Sequence, residues 1–330
     1  MRGTTRNFLI FGFACFLVLY FVFNLTARGG SLEKEVRITK GEGFSEVADR
    51  LAEEGLVRSS RILKFYGILS GNVGRIKPGD YVFSSDESAV RILNRLVAGP
   101  EDIKIVIVEG ATMRDIDSML AEAGISTGGA VRSFSINQVR SDYPFLAKIS
   151  SLEGFLFPDT YRFHAASTPE AVIRKFLDNF YAKAYPEFAA RRGNFYDELK
   201  IASLVEKEVP DLKDDGAIVA GIILRRLNIG MGLQIDATVL YARCGGALIT
   251  CDNNTLSRSD FAVDSRYNTY LYRGLPPTPI SNPGLAAIRA AINPQKSPYL
   301  YYLSDPKTKR TIFSETFDEH NENRAKYLGL

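Results

Sequence analysis

The sequence has no tryptophan among its 330 residues, only two histidines and three cysteines, and almost no excess of charge of either sign. Without tryptophan, any aromatic recognition surface has to be built from the 16 tyrosines and 21 phenylalanines. His164 and His320 are far apart and neither lies beside a cysteine, so no zinc-ligand spacing occurs, and no metal or cofactor is expected. The 41 basic and 38 acidic residues are well mixed. That balance excludes nucleic acid as the main partner, because phosphate-backbone binding calls for a basic stripe. Three cysteines are too few for a disulfide-built scaffold, while 45% hydrophobic residues can fill an ordinary core. Cys244 and Cys251, close together in CGGALITC, are a candidate local disulfide; two free thiols are the alternative.

There is one long hydrophobic run. Residues 8–25, FLIFGFACFLVLYFVFNL, carry no charge and follow Arg2 and Arg6. Such a length and such flanks predict a single transmembrane helix with its N-terminus in the cytoplasm. Leu25-Thr26-Ala27 is a poor cleavage site, so the expected segment is an uncleaved anchor in the inner (plasma) membrane, with the rest of the chain outside the cytoplasm.

Beyond that run the pattern is α+β. Residues 1–30 are expected to be the cytoplasmic tip and anchor, 31–100 a small βα module, and 101–330 a larger mixed α/β domain beginning after Gly99-Pro100. The phrase VRITKGEGFSEVADRLAEEGL, with Ser45 as its expected helix cap, is echoed by IVIVEGATMRDIDSMLAEAGI, aligning Gly41 with Gly110, Leu51 with Leu120 and Gly55 with Gly124. Two copies of one strand-turn-helix unit follow from that match, too few for a solenoid. Later, SLEGFLFPDTYRF alternates Phe155, Phe157, Tyr161 and Phe163 as a strand does. These rings are either core or a carbohydrate platform. GMGLQID reads as a turn and a strand bearing Gln234 and Asp236, and Asn282-Pro283 as the start of a helix. Tyr299–Leu303 with Thr311–Phe313 predicts a terminal hairpin, and Thr316 with Glu319 a capping box for a last helix.

The most informative stretch is NFYDELKIASLVEKEVP, residues 194–210, which predicts a helix capped at Asn194 and closed by Pro210. On a wheel of about 100° per residue, Leu199, Ile201, Ala202, Leu204, Val205 and Val209 form a wide apolar arc. Glu206 and Glu208 both interrupt that arc, on flanks about 160° apart, so one cleft cannot receive both. A carboxyl group among apolar neighbours has a raised pKa and becomes a candidate proton donor; a buried ion pair is the bland alternative.

LEGFLFPDTY, IASLVEKE, GMGLQID, YNTY followed by RGLPPTPISNPG, and FSETFDEHN occur in the order and spacing of the membrane-anchored endolytic murein transglycosylases. Over nearly its whole length the chain resembles this MltG/YceG-like family, with the segment from Val36 matching a LysM-like module. The resemblance implies an endolytic lytic transglycosylase that cuts the β-1,4 bond between N-acetylmuramic acid and N-acetylglucosamine, leaving 1,6-anhydro ends. It places the catalytic acid at Glu206, the first glutamate of the E-K-E phrase, and lines the glycan cleft with Glu153, Asp159, Tyr161, Gln234, Asp236, Tyr267, Asn268, Thr269, Asn282, Glu319 and His320. It also implies peptidoglycan synthases as partners. Ile235, Ala237, Thr278 and Thr311 depart from the family's phrases. A muramidase-type hydrolase using Glu206 with Asp236, and a non-catalytic wall-binding scaffold, are the alternatives.

Overall fold

The computed structural model describes residues 2–30, 33–100, 102–165, 167–189, 193–209, 212 and 215–329, with the side chains of 2–10 outside the description. The chain divides into two compact units, residues 1–103 with 163–166, and residues 104–162 with 167–330.

In the first unit, helix α1 (Arg2–Leu25) precedes strand β1 (Glu33–Ile38), helices α2 (Phe44–Glu53) and α3 (Ser60–Leu69), strand β2 (Gly79–Ser84) and helix α4 (Ala89–Ala98). β1 and β2 pair antiparallel, with Val36 opposite Tyr81, so the alternating inward residues Val36, Ile38, Tyr81 and Phe83 share one face. Val47, Leu51, Leu63, Ile92 and Leu96 from the helices complete that core. Ser88 caps α4 by accepting from the Arg91 N–H. Ser45 does not cap α2, whose N-cap is Gly43, two residues earlier.

The expected transmembrane anchor is overturned. Among the described residues no helix is long and apolar enough to cross a membrane. Residues 8–10 of the expected span lie outside the described side chains. The C-terminal end of α1 is packed against the rest of its unit: Phe21 meets Phe65 edge-on, and the Arg58 guanidinium lies over Phe23. The single-pass inner-membrane placement falls with the anchor. What remains of the expected fold is its mixed α/β character.

The repeated strand-turn-helix phrase forms β3 (Asp102–Val106), whose residues 104–106 belong to the second unit, and α5 (Met113–Glu122). Gly110 has φ +73° and Gly41, its counterpart in the first unit, φ +91°, the left-handed turn that a side chain rarely adopts. α5 starts with a full capping box between Thr112 and Asp115. β3 pairs with β4 (Thr160–His164), which is followed by α6 (Pro169–Lys183) and α7 (Tyr185–Ala189). The centre of the unit is α8 (Phe195–Glu208), packed against α9 (Gly216–Asn228) and α11 (Leu285–Ile292). At Gly221 a Cβ would stand 2.0 Å from the Gln295 carbonyl oxygen, so only glycine lets the chain after α11 lie against α9. Strands β5 (Tyr301–Ser304) and β6 (Thr311–Ser314) form the antiparallel hairpin, and α12 (Phe317–Leu328) closes the chain.

One open alternative is resolved and two local expectations fail. Phe155, Phe157, Tyr161 and Phe163 are all at least 95% buried, and Phe155 packs against Phe145 and Phe180, so these rings are core and no sugar platform. The GMGLQID segment is coil leading into helix α10 (Asp236–Arg243), where Asp236 is the first residue and its charge suits the positive end of the helix dipole. Asn282 is completely buried two residues before the α11 cap at Gly284, and does not start that helix.

Candidate active site

Helix α8 is built from the apolar arc read in its sequence: Leu199, Ile201, Ala202, Leu204 and Val205 are buried against its neighbours. Asn194 occupies the N-cap position, yet its side chain donates to Asp197 and caps nothing. The helix ends at Glu208, and Pro210 lies outside the described residues. Ser203 straps the 280–281 segment to α8, accepting from the Ile280 N–H at 3.1 Å while its carbonyl accepts from Ser281 Oγ at 3.2 Å.

Glu206 and Glu208 are both half-buried and have different surroundings. Glu206 accepts from the Gly284 N–H at 3.0 Å. Burial raises its pKa to about 7, the Gly284 bond pulls it down, Glu109 adds to the rise and Lys207 opposes it. Glu208 accepts from the Tyr302 hydroxyl at 2.9 Å. Its pKa also rises to about 7: burial is the largest cause, the Tyr302 bond opposes it, Asp236 adds to it and Arg226 opposes it.

Glu208 borders two cavities in this part of the fold. A cavity of about 640 Å³ is bordered by Glu208, Gln234, Asp236, Tyr270, Tyr301 and His320, among others. A second, of about 460 Å³, is bordered by Lys207, Glu208, Asp236, Leu248 and Asn254. The rim at Gln234 is shaped by backbone. Gln234 takes φ +51°, held by its N–H to the Thr269 carbonyl at 3.2 Å and by the Ile235 N–H to Thr269 Oγ1 at 3.0 Å. Thr238 and Thr269 share a 2.9 Å hydroxyl contact beneath it. Asp236 accepts from the Tyr270 hydroxyl at 2.6 Å, which fixes the carboxylate at the mouth.

Of the residues expected to line a glycan cleft, the structure brings Gln234, Asp236 and His320 together with Glu208. Others serve as framework. Asn268 donates to the Phe261 and Val263 carbonyls. Asn282 accepts from the Leu156 N–H at 2.8 Å and donates to the Ala111 carbonyl at 2.9 Å and to Glu153 at 3.2 Å. Glu153 is 2% exposed, accepts from the Met113 N–H and the Tyr241 hydroxyl, and is pushed up to about 8 by burial. Tyr267 packs on Tyr241 and pairs with Thr278. Asp159 and Tyr161 border a different cavity, beside Lys104 and Lys175. Glu319 accepts from the Glu315 N–H at the start of α12. Cys244 and Cys251 are joined in a disulfide with Cα atoms 5.9 Å apart.

A model of the YceG-like family matches residues 36–326. The chain belongs to the YceG-like family. It is 30% identical over 312 residues to a Bacillus subtilis protein named endolytic murein transglycosylase, a match covering 89% of this chain and 84% of that one. A Streptococcus pneumoniae protein of the same name is 29% identical over 326 residues, covering 89% of this chain and 58% of the longer relative. The crystal structure of a yceG-like protein from Listeria monocytogenes superposes with a TM-score of 0.59 at 28% identity, covering 89% of this chain and all of that one.

In this YceG-like chain, Tyr301, Tyr302, Tyr270, Arg226 and Arg324 complete the larger cavity; of these only Tyr270 lay in a phrase carrying the family resemblance, YNTY, and it was not itself expected at the site. Tyrosines and arginines far apart in sequence carry no local signal of convergence. Asp236 was readable as an anomaly, a charge in a run taken for a strand, and it proved to be a helix start.

Proposed function

We propose that this YceG-like chain cleaves peptidoglycan glycan strands as an endolytic lytic transglycosylase, with Glu208 as the acid and then the base. The reading rests above all on Glu208 bordering both cavities with a pKa near 7. The family membership and the relatives named endolytic murein transglycosylase support the substrate class. The resemblance put the acid at Glu206, but that carboxyl group faces Gly284 and Glu109 and borders neither cavity described above.

In the proposed reaction, neutral Glu208 gives its proton to the glycosidic oxygen as the bond from C1 breaks. The carboxylate so formed takes the proton of the muramyl C6 hydroxyl, whose oxygen bonds to C1 and closes the 1,6-anhydro ring. No water is consumed, and the carboxyl group ends protonated as it began. Near neutral pH a pKa of about 7 keeps a large fraction of Glu208 protonated, as the first step needs. The reading also assigns glycan holding to residues 31–100 as a LysM-like module, and peptidoglycan synthases as partners, both from the family resemblance alone.

A hydrolase is the second reading, favoured by the presence of Asp236 in the same cavity as Glu208. The test digests purified glycan strands with the chain, Glu208→Gln and Glu206→Gln. The proposal expects anhydro-muramyl ends from the wild type, a loss of about 100-fold or more for Glu208→Gln, and less than about tenfold for Glu206→Gln. Reducing ends that carry oxygen from labelled water establish the hydrolase instead. The reverse order of the two variants returns the role to Glu206.

A further inference from the structure

The larger cavity has two arginines and a histidine on its wall beside its two carboxylates. Glu208 and Asp236 border both cavities, whereas Arg226, His320 and Arg324 border only the larger one. Arg226 is committed to the fold: 7% exposed, it donates to the Leu300 carbonyl at 2.7 Å and the Leu233 carbonyl at 2.5 Å, with its guanidinium over Tyr301. Arg324 is not so engaged. It is half-buried on α12, one turn after His320 on the same face, and makes no hydrogen bond or ion pair among the described residues. The His320 ring stacks on Tyr301 at 5.3 Å, and its buried Nδ1 has no hydrogen-bond partner among the described residues. An unengaged guanidinium at the wall of the cavity, one turn from a histidine that borders the same cavity, is a donor lacking its anion.

We propose that His320 and Arg324 form an anion subsite that takes a carboxylate carried by the glycan strand, making Arg324 a specificity-determining residue. The inference rests on the functional reading above for its choice of ligand. Muramic acid has a lactyl ether ending in a carboxyl group, free on denuded strands and amide-linked to a peptide with its own carboxylates on substituted ones. Chitin-type strands, lacking the ether, offer no anion. Neutral His320 contributes one N–H and one lone pair; the pull of burial, Arg324 and Arg226 toward that neutral form leaves Arg324 as the charge that answers the ligand.

The experiment measures binding of end-labelled strands to the full chain in a Glu206→Gln, Glu208→Gln background, so that cleavage does not intervene. Three probes are used: denuded strands, peptide-bearing strands, and denuded strands whose lactyl carboxylates are converted to methylamides. Arg324→Gln is expected to weaken binding of at least one charged probe by about tenfold or more while leaving the methylamide probe unchanged, and Arg324→Lys to recover much of the loss. Loss on denuded strands alone identifies the lactyl carboxylate, and loss on peptide-bearing strands alone identifies the peptide. Equal effects on charged and neutral probes, or none on any, overturn the subsite. Cleavage products of the unmutated chain are read separately, so absence of anhydro ends counts against the reaction and leaves the binding contrast to decide the subsite.

Discussion

Tyr302 donates a 2.9 Å hydrogen bond to Oε2 of Glu208, tying the first strand of the terminal hairpin to the end of the helix that carries both glutamates. The bond occupies one carboxyl oxygen and leaves the other to hold a proton. Burial is the largest cause raising the Glu208 pKa, Asp236 adds to it, and this bond restrains it. Tyr302→Phe is therefore expected to move the alkaline limb of the pH dependence of kcat/KM upward from about 7. A limb that stays in place shows that Glu208 is not the group being titrated.

Three buried or half-buried carboxyl groups make stability depend on pH in a stated direction. Glu153 is raised to about 8 and Glu206 and Glu208 to about 7, from an ordinary value of 4.5. Each binds its proton more tightly folded than unfolded, so its stabilisation is complete below about pH 4.5 and is lost as pH rises through the folded value. Between about pH 4.5 and 8 these groups make the fold less stable with increasing pH. Urea midpoints measured across that window should fall, and Glu153→Gln should flatten the upper part of the slope.

Asn282 separates framework from substrate contact. With Ala in its place, the Leu156 N–H, the Ala111 carbonyl and Glu153 each lose a buried partner. A destabilisation of about 2–4 kcal/mol is expected, seen as a lower denaturation midpoint, with KM of the folded fraction changed less than about twofold. A large rise in KM at unchanged stability marks Asn282 as a substrate ligand instead.

The disulfide-bridged segment supplies one wall of the second cavity through Leu248 and lies beside Asn254. Asp115 holds the same segment independently, accepting from the N–H groups of Leu248, Ile249 and Thr250. Replacing Cys244 and Cys251 by serine is expected to cost about 2 kcal/mol, since the closed loop is short, and to leave activity at 25 °C within about threefold. Asp115→Ala is expected to lose more stability and most activity, because the wall itself is released. Thermal melts and turnover measured on both variants check the contrast.

The repeated strand-turn-helix phrase, the terminal hairpin and helix α8 were legible because each depends on a period of apolar residues or on a glycine turn within about twenty residues. The sequence alone also determined that Glu206 and Glu208 leave the helix in different directions, since helical geometry fixes the angle between them. It did not determine which one borders the cavity that Gln234, Asp236 and His320 share. That was decided by Tyr302, Asp236 and Arg226, which arrive from three other elements and give α8 no local pattern to betray them. Phe155 and Tyr161 likewise alternate as any strand does, and only packing against Phe145, Phe176 and Phe180 made them core. The apolar run at the N-terminus matched an anchor by composition, while among the described residues no helix is long and apolar enough to cross a membrane. Periodicity specifies which face of an element is buried; what that face is buried against is a property of the whole fold, and the chemistry proposed for Glu208 depends on it.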